Sequence, residues 1–280
     1  MGLLGMAIDR PDQAIDPIVV ARALEALLKS QRTLQRSSLV YEIGTLLDYL
    51  ERSETVGAQR VAQLEFEYLP LLEGSRRPAR VLHRELAGNP QFFIDILKAV
   101  FRAEDEEPRE PPDSERTLAM LGYRLLDSWH RPAPGLQDDG TVDEQQLNAW
   151  VDAARALAAA SRRGKIADQQ IGRVLRWVPD DPNGLWPGRI VRDLVERIES
   201  RDLDTGLELG LQNSRGVTTR GLTDGGAQER ALQVKYLGFA QEVGAKWPRS
   251  AAIQRHIARA YAQQARMEDE QAEITEDRWR

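Results

Sequence analysis

The sequence of 280 residues contains no cysteine and only three histidines. Without cysteine the chain forms no disulfide, holds no metal through thiolates and has no cysteine nucleophile. The histidines are His83, His130 and His256, and they lie far apart in the sequence. None has a second histidine at the helical spacing that metal ligands use. We therefore expect no metal site and no cofactor.

Long apolar runs are also missing. No stretch approaches the roughly 20 apolar residues that span a bilayer. Residues 1–13 contain a short apolar run followed by Asp9, Arg10 and Pro11, and they lack the basic start and apolar core of a signal peptide. These features predict a cytoplasmic protein without a membrane partner.

Acidic residues outnumber basic ones, 44 to 38, so the formal net charge is −6 and the sequence pI is near 5.3. A general nucleic-acid binder neutralises phosphates with basic side chains, so this charge argues against a nucleic-acid partner. Hydrophobic residues at 41% and charged residues at 29% are typical of a globular protein. Arginine greatly outnumbers lysine, which suggests a GC-rich bacterial genome.

Strand-like alternation is absent, and helical periodicity dominates the chain. Residues 17–30, for example, place Ile18, Leu24 and Leu28 on one broad apolar face. We predict an all-α protein, an irregular array of about ten to twelve helices that form a bundle or an α-solenoid. Residues 1–103 and 114–280 would form two helical subdomains, joined by an acidic, proline-rich linker or loop at 104–113.

Local signals mark several helix starts. Asn89-Pro90 has the form of a cap followed by a first-turn proline. Thr141 and Glu144 have the spacing of a capping box. Trp186 and Trp247 each precede a proline where a helix should begin, which indicates aromatic anchors packed in the core. Exposed binding aromatics are the alternative.

Helical periodicity predicts a helix at 201–213, and the overlapping segment 206–226 stands apart because it is rich in glycine, arginine and threonine. Gly216 and Gly221 have the glycine spacing of a phosphate loop. The residues that follow are Leu222 and Thr223, so the phosphate-binding lysine is missing, and no apolar strand precedes the loop. The segment therefore does not match a nucleotide P-loop.

A weaker anion site is one hypothesis for the same segment. Gly225 and Gly226 should begin a helix whose free amides attract anions, and arginines could complete the site. Asp224 could instead cap those amides, which would make the segment a structural turn. The candidate residues for ligand or partner binding are Asn213, Arg215, Arg220, Gly225, Gly226 and Arg230.

Two further groups of residues have possible functions. A basic cluster, Arg76, Arg77, Arg80 and Arg84, could dock an acidic partner or RNA, or form a solvated helix face. Arg249 and His256 loosely resemble the arginine-to-histidine spacing of helical ribonucleases of the higher-eukaryote-and-prokaryote nucleotide-binding type. That resemblance implies a helical nuclease that uses His256.

Several short phrases are similar to one kind of known protein. They are LEFEYLPLL at 64–72, NPQFF at 89–93, WP at 186–187, NSRGV at 213–217 and GGAQER at 225–230. Together they resemble the C-terminal helical region of long, poorly characterised bacterial proteins. The resemblance implies that the chain recognises or scaffolds, while another region of such a protein carries out chemistry.

These observations favour a non-enzymatic all-α module that binds or scaffolds a protein partner within a larger bacterial system. It would present a helical surface and the segment 206–226 to that protein partner. The alternatives are a sensor of an anion or nucleotide ligand, which would use Arg215 and Arg220, and the helical nuclease.

Overall fold

A computed structural model describes residues 15–29, 36–72, 77–214 and 225–279. Within these ranges the protein is all-α, as predicted, with twelve helices and no strand. No helix in the described ranges combines the length and apolar character that a bilayer crossing requires. The helices are α1 (Pro17–Lys29), α2 (Arg36–Glu51), α3 (Ala58–Leu72), α4 (Arg80–Gly88), α5 (Pro90–Val100), α6 (Asp113–Ser128), α7 (Glu144–Ala160), α8 (Gly164–Leu175), α9 (Arg189–Ile198), α10 (Arg201–Ser214), α11 (Ala227–Val243) and α12 (Pro248–Trp279).

The chain forms two compact units that do not strictly follow chain order. The first unit consists of Met1–Pro134 and Ala156–Arg163, and the second of Gly135–Arg155 and Gly164–Arg280. Helix α7 therefore begins in the second unit and ends in the first. The acidic stretch 104–113 lies inside the first unit, and separate folding of residues 1–103 stays a prediction.

The first unit packs helices α1 to α6 around aliphatic and aromatic side chains. Phe93 of α5 is fully buried, and its ring centroid lies 5.9 Å from that of Trp129. Tyr68 donates its hydroxyl hydrogen to the Leu24 carbonyl at 2.8 Å, which satisfies the polar atom of a buried ring. The fully buried large side chains of this unit are Leu24, Ile43, Leu46, Leu47, Leu50, Leu86, Phe93, Ile94, Leu97 and Leu125.

In the second unit, α8 and α10 approach each other at backbone distance. A Cβ atom at Gly206 would lie 2.0 Å from the Gln169 carbonyl oxygen, and one at Gly172 would lie 2.2 Å from that of Leu203. Gly210 meets α8 in the same way. No side chain fits at such distances, so glycine permits this packing. Gly206 and Gly210, which belong to the unusual sequence segment, are therefore packing residues within α10.

The predicted helix start at Asn89-Pro90 and the predicted burial of Trp186 are confirmed. Asn89 caps α5, since its side-chain oxygen accepts the N–H of Phe92 at 3.2 Å, and Pro90 takes the first helical position. Trp186, shortly before α9, is buried as predicted, and its ring meets Tyr236 edge-on with centroids 5.8 Å apart. Each signal is a pair of adjacent residues, Asn89-Pro90 or Trp186-Pro187, and can therefore be recognised in the sequence.

The predicted capping role of Thr141 is wrong. Helix α7 begins at Glu144, and Asp143 caps it by accepting the N–H of Gln146 at 2.9 Å. Thr141 instead binds the carboxylate of Asp139 in the preceding turn. An isolated bridge at Val142 keeps this part of the chain extended, so the helix starts only after Asp143.

Candidate functional site

The start of α11 brings Gly225, Gly226 and Arg230 together around a carboxylate of the chain itself. The Gly226 N–H donates to Asp269 Oδ1 at 2.8 Å, and Arg230 Nη1 donates to Asp269 Oδ2 at 2.6 Å. Gly225 has a φ of +53°, and a Cβ atom there would lie 2.6 Å from Asp269 Oδ1. Glycine thus lets α12 place its carboxylate against the positive end of α11.

Asp269 occupies the position that the sequence analysis assigned to an anion ligand. The hydrogen bond from the Gly226 N–H, followed by that from Arg230, holds the pKa of Asp269 below its usual value. Arg215, Arg220 and Asp224 lie outside the described residues, so their roles stay predictions. Asn213 is exposed near the end of α10.

Three other helix starts take a carboxylate from elsewhere in the chain. Glu196 accepts from the N–H groups of Arg249 and Ser250 in α12, Asp181 from that of Arg189 in α9, and Glu65 from that of Leu82 in α4. The donor–acceptor distances range from 2.7 Å for Arg189 to 3.2 Å for Arg249. These amides are the groups that an anion ligand would use, and the fold already satisfies them.

Arg77, predicted to belong to a basic patch, is buried among carboxylates, with 6% of its side chain exposed. Its guanidinium lies 2.6 Å from Glu65 Oε1, 2.6 Å from Asp48 Oδ1 and 3.0 Å from Glu51 Oε2. Glu65 is fully buried, and this desolvation raises its pKa, while the positive charge of Arg77 opposes the rise. The positive charge of Arg77 therefore compensates the negative charge of the buried Glu65.

Arg80 and Arg84 extend the same network toward the surface. Arg80 contacts Asp48, and Arg84 Nη2 donates to Glu51 Oε1 at 2.7 Å. Arg76 lies outside the described residues. Arg77 is therefore not part of an exposed basic patch, because α2 and α3 bring distant acidic side chains against it. Arg80 and Arg84 are ion-paired but about half exposed, and docking of an acidic partner or RNA by them stays a prediction.

Arg249 and His256 belong to separate ion pairs between α10 and α12. His256 Nδ1 lies 2.6 Å from Glu208 Oε2, with 65% of the histidine side chain exposed. Arg249 Nη2 lies 2.7 Å from Asp204 Oδ2. Burial raises the pKa of each carboxyl group, and its basic partner opposes the rise. Each basic residue is thus paired with a carboxylate of α10, and the nuclease role of His256 stays a prediction.

His83, in contrast, is a buried packing residue. Burial, with a smaller contribution from His130, lowers the pKa of His83 to about 4. Its Nε2 lies 3.1 Å from the Ser128 hydroxyl oxygen. In the part of the chain that the structure describes, no group of three or more histidine, aspartate or glutamate side chains could hold a metal ion.

A groove in the first unit is lined by apolar side chains, some accessible and some belonging to the core. It has a volume of about 590 Å³ and lies between α3, α4, α5 and α6. Its described lining residues are Ala58, Gln59, Ala62, Gln63, Phe66, Val81, Leu82, Glu85, Phe92, Ile96 and Leu118. Eight of them are apolar, and Glu85 is the single charged one. The groove is therefore a mainly apolar accessible surface.

The pattern of α3 contains a signal for this groove that the sequence analysis missed. One apolar stripe, which includes Val61 and Leu64, faces the core. A second stripe, formed by Ala58, Ala62 and Phe66 at intervals of four residues, lines the groove. A helix with two apolar stripes has room for a neighbour on each, which is a readable sign of a binding face.

The chain matches no protein-family model, and no match is found among curated proteins or solved structures. The resemblance to helical regions of long bacterial proteins therefore stays a prediction.

Proposed function

We propose that this chain is a non-enzymatic helical interaction module whose first unit binds an amphipathic helix of a partner protein in the groove. The supporting observation is the groove, where four helices present an apolar surface that other described residues do not cover. Grooves of this kind receive the apolar face of a helix through side chains at i, i+3, i+4 and i+7.

Three large side chains of the groove suit this role because they keep accessible surface. Leu118 is 45% exposed, and Phe66 and Phe92 are partly exposed. Burying the exposed parts of three such side chains would stabilise a complex by roughly 2–4 kcal/mol. Gln59 and Gln63 are exposed and offer hydrogen-bonding groups that can fix the register of a bound helix.

A cytoplasmic setting within a larger bacterial system belongs to the same proposal, supported by composition and by the resemblance. The sensor and nuclease hypotheses have no comparable support. Asp269 already binds Gly226 and Arg230, and Arg249 and His256 lie in separate ion pairs.

The proposal is tested with a fluorescent amphipathic peptide of about five helical turns that has leucines on one face and glutamines on the other. We expect saturable binding to the full chain in fluorescence anisotropy. Leu118→Arg should weaken it roughly tenfold or more, because the peptide would bury the new charge. Val234→Arg is the matched control, since it adds the same charge at an exposed apolar residue of α11.

Three results would contradict the proposal. Equal binding by both variants would show that the peptide binds elsewhere, and no binding by the wild-type chain would exclude helix recognition. Self-association that only Leu118→Arg abolishes, without peptide binding, would identify a second copy as the occupant.

A further inference from the structure

We infer that the helix which the groove receives is basic, with its lysine or arginine residues directed toward the acidic segment at the start of α6. The acidic segment comprises residues 104–116. This inference rests on the proposed function and specifies the chemistry of the partner.

The acidic segment has a large excess of negative charge. It contains seven carboxylates and two arginines, for a net charge of −5. The carboxylates are Glu104, Asp105, Glu106, Glu107, Glu110, Asp113 and Glu115. They are exposed, with 85% of the Glu110 side chain and 98% of the Asp113 side chain accessible. Their field is therefore available to a partner.

This charge lies beside the groove. Glu115 precedes Leu118, a lining residue, by three positions in α6, so the two lie on adjacent turns of the same helix side. A basic side chain that flanks the apolar stripe of a bound helix would therefore approach the carboxylates at the Leu118 edge. Leu118 thus joins the apolar and acidic parts of one surface.

Contacts inside the first unit hold the acidic segment in place. Arg109 Nη2 donates to Glu115 Oε2 at 2.7 Å, and Arg116 Nη2 donates to Glu110 Oε1 at 3.1 Å. The Glu104 N–H donates to the Arg162 carbonyl at 2.9 Å. A segment fixed in this way presents its charge without a large ordering cost on binding.

Charge at the α3 edge does not compete with this preference. Gln63 also borders a depression of about 390 Å³ that contains two acids, Glu25 and Glu67, and two bases, Lys29 and Arg60. Its charges balance, and Glu25 and Arg60 pair at 2.8 Å. The groove is therefore acidic at its α6 edge and neutral at its α3 edge. This difference in charge favours a basic helix whose positive side chains are directed toward α6.

The test compares three peptides that share one leucine stripe and carry lysine, glutamine or glutamate on the polar face. Binding to the full chain is measured by fluorescence anisotropy at low and high salt. We expect the lysine peptide to bind about tenfold more tightly than the glutamine peptide, as for three or so exposed ion pairs. The difference should shrink at high salt, because the charges are solvent-exposed.

Neutralising carboxylates of the acidic segment tests whether this segment causes the preference for the lysine peptide. Glu107→Gln, Glu110→Gln and Asp113→Asn together should remove most of the lysine preference and leave glutamine-peptide binding unchanged. The matched control neutralises Asp138, Glu270 and Glu273, which are exposed in the second unit. It should preserve the preference.

The outcomes separate this inference from the proposed function. If the lysine and glutamine peptides bind equally and Leu118→Arg blocks both, the groove binds helices but does not select basic ones. If the glutamate peptide binds more tightly, the inferred charge is wrong. If Leu118→Arg weakens none of the peptides, both the inference and the proposed function are wrong.

Discussion

At the residue scale, Arg77 takes its role from partners that are distant in sequence. Asp48 lies 29 residues before it and Glu51 lies 26 residues before it, yet both bind its guanidinium. A local run of arginines shows only the positive half of such a network. Without Arg77, Glu65 would be a fully buried acid that lacks its countercharge.

Arg77→Met should strongly destabilise the chain. Removing one partner of a buried ion pair typically costs about 3–5 kcal/mol, because the remaining charge stays desolvated. Urea unfolding at neutral pH measures the loss. Glu65→Gln should cost less, since Arg77 retains Asp48 and Glu51. A loss of stability below about 1 kcal/mol in Arg77→Met would contradict the buried-pair interpretation.

The same variant should have a characteristic pH dependence. Loss of Arg77 removes an effect that lowers the pKa of Glu65, so the folded-state pKa rises further above the ordinary value of 4.5. The folded state then binds a proton more readily than the unfolded state, and stability falls as pH rises from the unfolded pKa through the folded one. Arg77→Met should therefore regain stability toward pH 5, and adding Glu65→Gln should abolish that gain.

At the element scale, the α8–α10 pair shows why glycine content alone does not predict how a segment folds and packs. Gly206 and Gly210 sit in a helix that the sequence predicts at 201–213 and the structure places at Arg201–Ser214. Glycine disfavours isolated helices, but here it permits backbone approach. Helical periodicity predicts the element, whereas the purpose of its glycines depends on the neighbour.

Gly206→Ala should lower stability by about 1–3 kcal/mol, because a new Cβ atom would force the two helices apart. A loss of stability would indicate close packing, because alanine is intrinsically about 1 kcal/mol more favourable than glycine in a helix. Gly238→Ala in α11 is the matched control: its Cβ would meet no atom within 4 Å, and it should stabilise the chain. Thermal or urea unfolding measures both. Stabilisation by Gly206→Ala would contradict the close packing.

At the scale of the whole molecule, the sequence predicts the all-α class and most helix positions because 3.6-residue periodicity is a local property. The groove is different, because Phe66, Phe92 and Leu118 meet only after α3, α5 and α6 pack. The carboxylate at the α11 start comes from Asp269, 43 residues beyond Gly226. Sequence could suggest an anion-accepting helix end there, but not which anion the fold supplies.

The shared helix α7 predicts where the chain can be divided. A fragment of residues 1–163 contains every segment of the first unit, whereas 1–103 lacks α6 and the Trp129 that packs on Phe93. We expect 1–163 to unfold cooperatively in urea, followed by circular dichroism, and 1–103 to be largely unfolded. A fragment of 1–134 should be less stable than 1–163 because it lacks Arg163, whose Nε donates to the Phe101 carbonyl at 2.8 Å. Cooperative folding of 1–103 with the stability of 1–163 would instead support a domain boundary at 104–113.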